Sequence, residues 1–110
     1  MNKFLKFKER EETKGIQLSY LKLDMPLEDY EKIVMRQGWF SIGYNYVLHP
    51  DGNMEVGIPV TQCCDPFVKG WDDHVCVLVM GACEGETNTL QDNALFVLSK
   101  ELNLPIHRGE

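Results

Sequence analysis

The chain has 110 residues, of which 44% are apolar and 25% charged, so its composition predicts one soluble globular domain and argues against a disordered chain. Its formal net charge of -6 argues against a nucleic-acid partner, because proteins that bind phosphate backbones usually present a basic face. The longest apolar run, residues 75–81, is too short to cross a bilayer, and residues 1–4 lead into charged residues rather than a signal-peptide core. We therefore expect no membrane association and a cytoplasmic location.

The first predicted elements are an arm, a strand and a helix. Residues 1–14 carry interleaved charges of both signs and predict a solvated N-terminal arm. Residues 16–23 carry apolar side chains on much of both faces, which is typical of a partly buried strand. Pro26 suits a first helical turn, the acidic residues that follow it suit the positive end of the helix dipole, and Gly38 is a typical helix stop. We therefore expect a helix between Pro26 and Gly38.

A hairpin and a long loop are predicted next. Residues 42–48 form an aromatic segment with strand character, and the Asp51-Gly52 dipeptide favours a tight turn. Residues 54–57 should then pair back antiparallel. Residues 57–70 lack periodicity and are interrupted by two prolines, which predicts a long loop.

The last third of the chain predicts the centre of the sheet and a second helix. Residues 75–80 are apolar without alternation, as a central strand covered on both faces would be. Asn88 or Thr89 can cap the following helix, with Gln91 or Asp92 reaching back to the cap. This helix is expected to lie on the sheet through an apolar stripe made by Leu90, Ala94, Leu95, Val97, Leu98 and Leu102.

The order of these motifs resembles that of the type-2 N-acetylmuramoyl-L-alanine amidases, the family that includes the peptidoglycan recognition proteins and the small amidase lysozymes of T-odd phages. The resemblance implies a single α/β (α+β) domain over residues 1–110, with a mixed central β-sheet flanked by two main helices. The segments that carry it are residues 7–11, Gln37-Gly38-Trp39, Gly43-Tyr44-Asn45-Tyr46, Pro50-Asp51-Gly52-Asn53, Lys69-Gly70-Trp71, the apolar strand ending in Gly81, and the final helix.

The resemblance also implies a zinc site, which in the family is held by two histidines and a cysteine or aspartate. Ser19 stands at the position of the first histidine, and a hydroxyl is a poor zinc ligand beside an imidazole. His107 is a shortened match to the second histidine, and the third ligand and a helping lysine would follow the last residue of this chain. Tyr44 matches the family's active-site tyrosine, while Ile58 replaces an arginine that handles substrate. We therefore expect a pseudo-enzyme with no cofactor, in which Ser19, Tyr44 and His107 are vestiges.

The four cysteines at positions 63, 64, 76 and 83 are too few for a disulfide framework, so we expect free thiols. A replacement zinc site drawn from Cys63, Cys64, His74 and His107 lacks the usual ligand spacings, but it stays open as an alternative to no metal. A cysteine nucleophile, in which Cys63 or Cys64 would work with His74 and one of the neighbouring aspartates, is a second alternative.

A domain without catalytic groups is best explained by a binding surface, because aromatic side chains anchor protein interfaces and acidic ones steer basic partners. The candidate binding residues are Trp39, Phe40, Phe67, Trp71, Asp72, Asp73, Glu84 and Glu86. For Trp39 the structural alternative is packing under the hairpin.

The phage lysozymes of this family also bind the phage RNA polymerase and restrain transcription, which provides a precedent for a regulator. Our leading hypothesis is a non-catalytic, amidase-derived phage protein in the host cytoplasm that binds and inhibits or regulates another protein with a basic surface. RNA polymerase and a host defence enzyme are the two targets considered. The alternatives are a peptidoglycan-binding protein and a zinc-dependent cell-wall amidase. A homodimer is a further alternative, because loss of the family's C-terminal segment should uncover apolar surface.

Overall fold

The computed structural model describes residues 9–38, 42–64, 68, 70–82 and 86–108. None of the helices in these ranges is long and apolar enough to cross a membrane. The elements in chain order are β1 (Gly15–Leu21), α1 (Leu27–Arg36), β2 (Tyr46–Leu48), β3 (Met54–Val56), β4 (His74–Met80), α2 (Thr89–Leu102) and β5 (Ile106–Arg108). The predicted α/β (α+β) class, a mixed sheet flanked by two main helices, is confirmed.

The five strands form one mixed sheet in the order β3-β2-β4-β1-β5. Strand β4 is parallel to both of its neighbours, with Val77 opposite Leu18 of β1 and opposite Tyr46 of β2. Strands β2 and β3 form an antiparallel hairpin, and β5 is parallel to β1 at the other edge. The prediction that the apolar run after residue 74 is the middle of the sheet is confirmed.

The two faces of the sheet form two separate cores, because alternate side chains of a strand point to opposite faces. Strand β4 contributes Val75, Val77 and Val79 to the first core, which includes the α2 residues Leu95 and Leu98. The second core lies on the α1 side of the sheet and is smaller. Its buried members are Val34, Ile42, Val47, Leu78 and Met80.

Helix α1 begins and ends within a residue of the prediction. Pro26 is its N-cap and Gln37 its C-cap, and Gly38 follows with a φ of 94°. Pro26 has no side chain that could cap the first turn. The carboxylate of Glu55 on β3 takes this role, since its Oε2 accepts a hydrogen bond from the Leu27 backbone N–H over 2.9 Å.

Helix α2 has the predicted cap but not the predicted apolar stripe. Asn88 Oδ1 accepts from Gln91 N over 2.8 Å and Gln91 Oε1 accepts from Asn88 N over 3.2 Å, which is a complete capping box. Leu90 and Val97 are 55% and 53% exposed, so their assignment to the buried stripe is wrong. Gln91 occupies the buried face instead, because its Nε2 donates to the Met80 carbonyl over 2.8 Å and its polar atoms are thereby satisfied.

Two further differences concern strand lengths and the C-terminus. The predicted strand over residues 42–48 is only three residues long, because Gly43 adopts a φ of 86° that interrupts extended backbone. The residues after α2, for which no element was predicted, add β5 to the edge of β1. The backbone N–H of Ile16 also donates to the Pro105 carbonyl over 2.8 Å, which anchors the entry to β5.

Candidate functional site

Ser19 and His107, which the motif resemblance aligned with the family's two histidine positions, lie at different points along the sheet. Ser19 is partly buried on β1 opposite Leu78, a member of the core on the α1 side. His107 lies on β5 opposite Gln17, two residues before Ser19 and therefore roughly 7 Å away along the strand direction. Its ring packs edge-on against the ring of His74, with the centroids 5.1 Å apart and the planes at 84°. Tyr44, the third residue predicted to be a vestige, is partly buried against the α1-side core.

His74 is held by a carboxylate. Its Nδ1 lies 2.6 Å from Asp73 Oδ1, and its side chain is only 14% exposed. The hydrogen bond with His74 is the main reason why the pKa of Asp73 is lowered, and Lys14 contributes further through an Nζ to Oδ2 distance of 3.5 Å. Gly70 lies against this ring with a φ of 77°, and a Cβ there would come within 3.1 Å of His74. The Asp73–His74 pair is thus a positioned acid–imidazole dyad.

The thiols of Cys63 and Cys64 contact groups other than this imidazole. Cys64 Sγ donates to Asn45 Oδ1 over 2.9 Å, and Cys63 Sγ donates to the Asp72 carbonyl over 3.9 Å. Among the residues that the structure describes, no three or more His, Cys, Asp and Glu side chains are arranged to hold a metal ion. The set of Cys63, Cys64, His74 and His107 therefore forms no metal centre in the described part of the chain.

Asn45 is a fully buried polar hub that the sequence reasoning treated only as part of a motif. Its Oδ1 accepts hydrogen bonds from the backbone N–H of Cys76, from Cys64 Sγ and from the Arg10 guanidinium. Its Nδ2 donates to the carbonyls of three residues in the loop after β3, at 3.0 to 3.2 Å: Ile58, Pro59 and Gln62. One amide thus connects β4, this loop and the N-terminal segment, and the signal in the sequence was a polar residue between two tyrosines in a strand motif.

Arg10 is the second member of this network. Its Nη2 donates to the Gln62 carbonyl over 2.8 Å and to Asn45 Oδ1 over 3.2 Å, while its Nη1 donates to Thr13 Oγ1. Its Nε is buried, and no atom in the described part of the chain accepts a hydrogen bond from it. The backbone N–H of Arg10 also donates to the Thr61 carbonyl, so this part of the predicted solvated arm is fixed to the domain.

His49 forms a second buried ionic centre at the opposite end of the hairpin. Its Nδ1 lies 2.7 Å from Asp24 Oδ1 and its Nε2 lies 2.9 Å from Glu55 Oε2, the same oxygen that caps Leu27 N. Burial by itself lowers the pKa of His49, but the hydrogen bonds to the two carboxylates outweigh that effect, and the pKa is raised. This arrangement clamps the segment between β1 and α1 onto the hairpin, and no motif in the sequence indicated it.

The predicted binding residues do not form one described surface. Trp71 is partly buried, and its carbonyl accepts from Cys64 N over 2.9 Å. Asp72 and Glu86 are exposed, whereas Asp73 is engaged by His74. The remaining predicted residues lie outside the described part of the chain: Trp39, Phe40, Phe67 and Glu84.

An exposed apolar surface that was not predicted lies on the outward side of α2. Leu90, Phe96 and Val97 are 55%, 60% and 53% exposed, and we refer to these three residues as the α2 patch. The Lys100 ammonium lies 5.3 Å from the centroid of the Phe96 ring. Because α2 covers the face of the sheet opposite to α1, the α2 patch and Ser19 lie on different sides of the molecule.

No family model matches the sequence, and no curated protein matches it either. Solved structures do match. The N-acetylmuramoyl-L-alanine amidase LysC from Clostridium intestinale URNW is 20% identical, with a TM-score of 0.71 over 86% of this chain and 70% of that chain. Human PGRP-IBETAC, solved in complex with glycosamyl muramyl pentapeptide, is 17% identical. Its TM-score is 0.75, over 93% of this chain and 69% of that chain. PGRP-Hd from Alvinella pompejana is 16% identical, with a TM-score of 0.71 over 99% of this chain and 80% of that chain. The resemblance drawn from the motifs is thus confirmed, and the chain has the fold of the N-acetylmuramoyl-L-alanine amidases and peptidoglycan recognition proteins.

Proposed function

We propose that this chain is a non-catalytic protein with an amidase fold that binds and regulates another protein. The proposal places it in the cytoplasm of a phage-infected bacterium, with RNA polymerase or a host defence enzyme as the target. Two observations support the absence of catalysis. A serine hydroxyl, as at Ser19, is a poor zinc ligand, and His107 pairs with Gln17 rather than with Ser19, so the two residues are separated along the sheet.

The α2 patch is the observation that carries the proposal of a protein partner. Three large apolar side chains on one helix are more than half exposed, and an exposed apolar patch is a typical interaction site. Full burial of an apolar side chain contributes roughly 1.5–3 kcal/mol, so each of these exposed halves can contribute about 1 kcal/mol to binding. The location on the α2 side leaves Ser19, on the α1 side of the sheet, out of the interface.

The charges around the α2 patch indicate the chemistry of the partner. Glu86, Asp92 and Glu101 are exposed on α2 or directly before it, and the chain carries a net charge of -6. Lys100 lies against the Phe96 ring, where a cation interacts favourably with the aromatic face. The complementary surface is therefore an apolar strip flanked by basic groups, as the sequence-based expectation of a basic partner requires.

The test compares wild-type protein with the double variant Phe96→Ser, Val97→Ser in capture from phage-infected bacterial lysate, followed by direct binding to the purified partner. The variant should bind about 30-fold more weakly, which corresponds to about 2 kcal/mol. The matched control is Ile33→Ser, Met35→Ser, which removes two exposed apolar residues of α1 and should bind as the wild type does. The proposal is wrong if the α2 variant binds normally, or if light scattering shows that a second copy of the chain occupies the α2 patch.

Binding of peptidoglycan fragments without cleavage is the second candidate function. The observation in its favour is that human PGRP-IBETAC, whose fold matches 93% of this chain, was solved in complex with glycosamyl muramyl pentapeptide. Sedimentation with purified peptidoglycan separates the two candidates. A protein regulator should remain in the supernatant, whereas retention in the pellet by both the wild type and the α2 variant would favour the second candidate.

A further inference from the structure

Strand β3 lies at one edge of the sheet and exposes its outer side. It pairs with β2, and no strand in the described part of the chain lies on its other side. Val56 is 62% exposed and Met54 is partly buried, so the edge is accessible to another chain. An open edge strand is a template for a further strand, because its outward backbone groups lack partners.

The hydrogen-bond pattern of the hairpin identifies these outward groups. Gly57 N donates to the Asn45 carbonyl over 2.8 Å, so Gly57 and Asn45 form a hydrogen-bonded pair. Hydrogen-bonded and non-hydrogen-bonded pairs alternate along an antiparallel ladder. The backbone N–H and C=O groups of Val56 and Met54 therefore point away from β2. Within the described ranges, no other group hydrogen-bonds to them.

Negative charge accumulates beside this edge on the α1 side of the sheet. Asp24 and Glu55 both contact the imidazole of His49, through Oδ1 and Oε2 respectively. Two carboxylates share one imidazole, so a negative charge remains there even when His49 is protonated. The two acidic side chains are 47% and 36% exposed, and no described lysine or arginine forms an ion pair with either. A cationic side chain placed here would be attracted by both carboxylates.

We propose that the edge of β3 binds an extended segment of the partner protein, in which apolar and basic residues alternate, as a further antiparallel strand. The inference rests on the proposed function for the existence of that partner. Side chains directly opposite one another in neighbouring strands lie on the same face. The residue opposite Glu55 therefore points to the α1 side, where a lysine or arginine meets the two carboxylates. Its two neighbours point to the α2 side, where apolar side chains cover Met54 and Val56.

Backbone hydrogen bonds hold this segment, and its side chains select it. In an antiparallel pair, the residues opposite Met54 and Val56 exchange N–H and C=O groups with them. Strand addition of this kind derives affinity from the main chain and specificity from alternate side chains. An acidic segment would place its carboxylates against Asp24 and Glu55 and would be repelled.

A second copy of the chain is a poor occupant of the same edge. The register that uses the outward groups of Met54 and Val56 in both copies places the two Glu55 side chains opposite each other. Like charges directly opposite one another destabilise a pair of strands. The charge beside the edge thus favours a different, basic chain over self-association.

The test uses the acetylated and amidated peptide Val-Lys-Val-Lys-Val and the isotope-labelled full-length protein. Titration followed by NMR should shift the amide signals of Met54 and Val56 to saturation, and hydrogen exchange at these two amides should slow. Methylation of the valine backbone nitrogens removes the donors that face β3 and should weaken binding at least tenfold. Methylation of the lysine backbone nitrogens removes donors that face away, so its effect should be smaller. The peptide Val-Glu-Val-Glu-Val should also bind at least tenfold more weakly.

Substitutions in the protein test the same contact. Val56→Pro removes one outward N–H, which an edge strand tolerates, and should weaken binding of the lysine peptide at least tenfold. Val56→Lys keeps the N–H but replaces an apolar contact by a positive charge, so it should weaken binding as well. Asn93→Lys adds the same charge on the exposed surface of α2 and should bind as the wild type does. The Phe96→Ser, Val97→Ser variant should also bind normally, which separates this edge from the α2 patch.

Equal binding of the two methylated peptides, signal shifts centred away from β3, or normal binding of the glutamate peptide would overturn the proposal. So would a dimer that forms without peptide and protects the Met54 and Val56 amides. The outcome is distinguishable from a failure of the proposed function. Peptide binding as described with no protein partner would refute only the proposed function, whereas a partner that binds Val56→Pro as tightly as the wild type would refute only the edge site.

Discussion

Replacement of Asn45 by alanine should destabilise this domain more than any exposed substitution. The amide oxygen accepts from three donors, the two N–H groups of Nδ2 are shared among three carbonyls, and the side chain is completely buried. After truncation, the Gln62 carbonyl keeps its bond from Arg10 and the Pro59 carbonyl keeps its bond from Gln62 N. The strong hydrogen-bonding groups that lose the Asn45 partner are therefore the Cys76 backbone N–H and the Ile58 carbonyl; the Cys64 thiol, a weak donor, also loses it.

The magnitude follows from these two groups. A buried donor or acceptor that loses its partner costs about 1–3 kcal/mol, so the Asn45→Ala variant should lose about 4 kcal/mol of unfolding free energy. Domains of this size have about 5–15 kcal/mol in total, and a loss of this size should lower the melting temperature by roughly 15 °C.

The assay is urea unfolding followed by circular dichroism, with the slope of the transition compared between variants. Asn93→Ala is the matched control, because Asn93 is exposed on α2 and the change should stay within about 0.5 kcal/mol of the wild type. If Asn45→Ala loses less than about 1.5 kcal/mol at an unchanged slope, water or relaxed backbone replaces the hub, and the reasoning is wrong.

Two further predictions concern the His49 clamp and the left-handed glycines. The pKa of His49 is raised above its ordinary value of 6.5, so its contribution to stability should be complete below about pH 6.5 and should be lost as the pH rises through the raised value. Unfolding free energies measured from pH 5 to pH 9 should show this fall in the wild type but not in His49→Gln, and an identical fall in both proteins would assign it to other groups. Both Gly81 and Gly38 have a positive φ, but Gly81→Ala should lower the free energy of unfolding more than Gly38→Ala does. A Cβ at Gly81 would lie 2.5 Å from Pro50 Cγ, whereas none of the described atoms would lie within 4 Å of a Cβ at Gly38. The backbone alone costs about 1–2 kcal/mol in each case, so equal melting temperatures for the two variants would show that Pro50 moves aside.

The local elements of this domain could be predicted because their signals are local. The bounds of α1 follow from Pro26 and Gly38, and the capping box of α2 follows from residues only three positions apart, Asn88 and Gln91. The uninterrupted apolar run of β4 requires a strand covered on both faces, which identified the centre of the sheet. The order of motifs then led to the fold that the solved structures confirm.

The buried polar contacts depended on pairings between distant parts of the chain. Arg10 and Asn45 are 35 residues apart, and His49 and Asp24 are 25 residues apart, and neither contact has a periodic signal in the sequence. The apolar stripe of α2 was predicted too wide because hydrophobicity alone does not say which side of a helix meets the sheet. Gln91, which is buried and takes part in the capping box, shows that hydrogen bonds can place a polar residue on the side of the helix that meets the sheet.

The sequence by itself determined the helices, the central strand and the presence of a serine at position 19, because each depends on residue type or short-range spacing. Only the tertiary structure decided that His107 lies beside His74 and that the Cys64 thiol and the Cys76 backbone N–H share Asn45 Oδ1. The parallel register of β1 with β4 and β5 sets these positions. That register is fixed by burial and hydrogen bonding across the whole sheet, which no local stretch of the chain specifies.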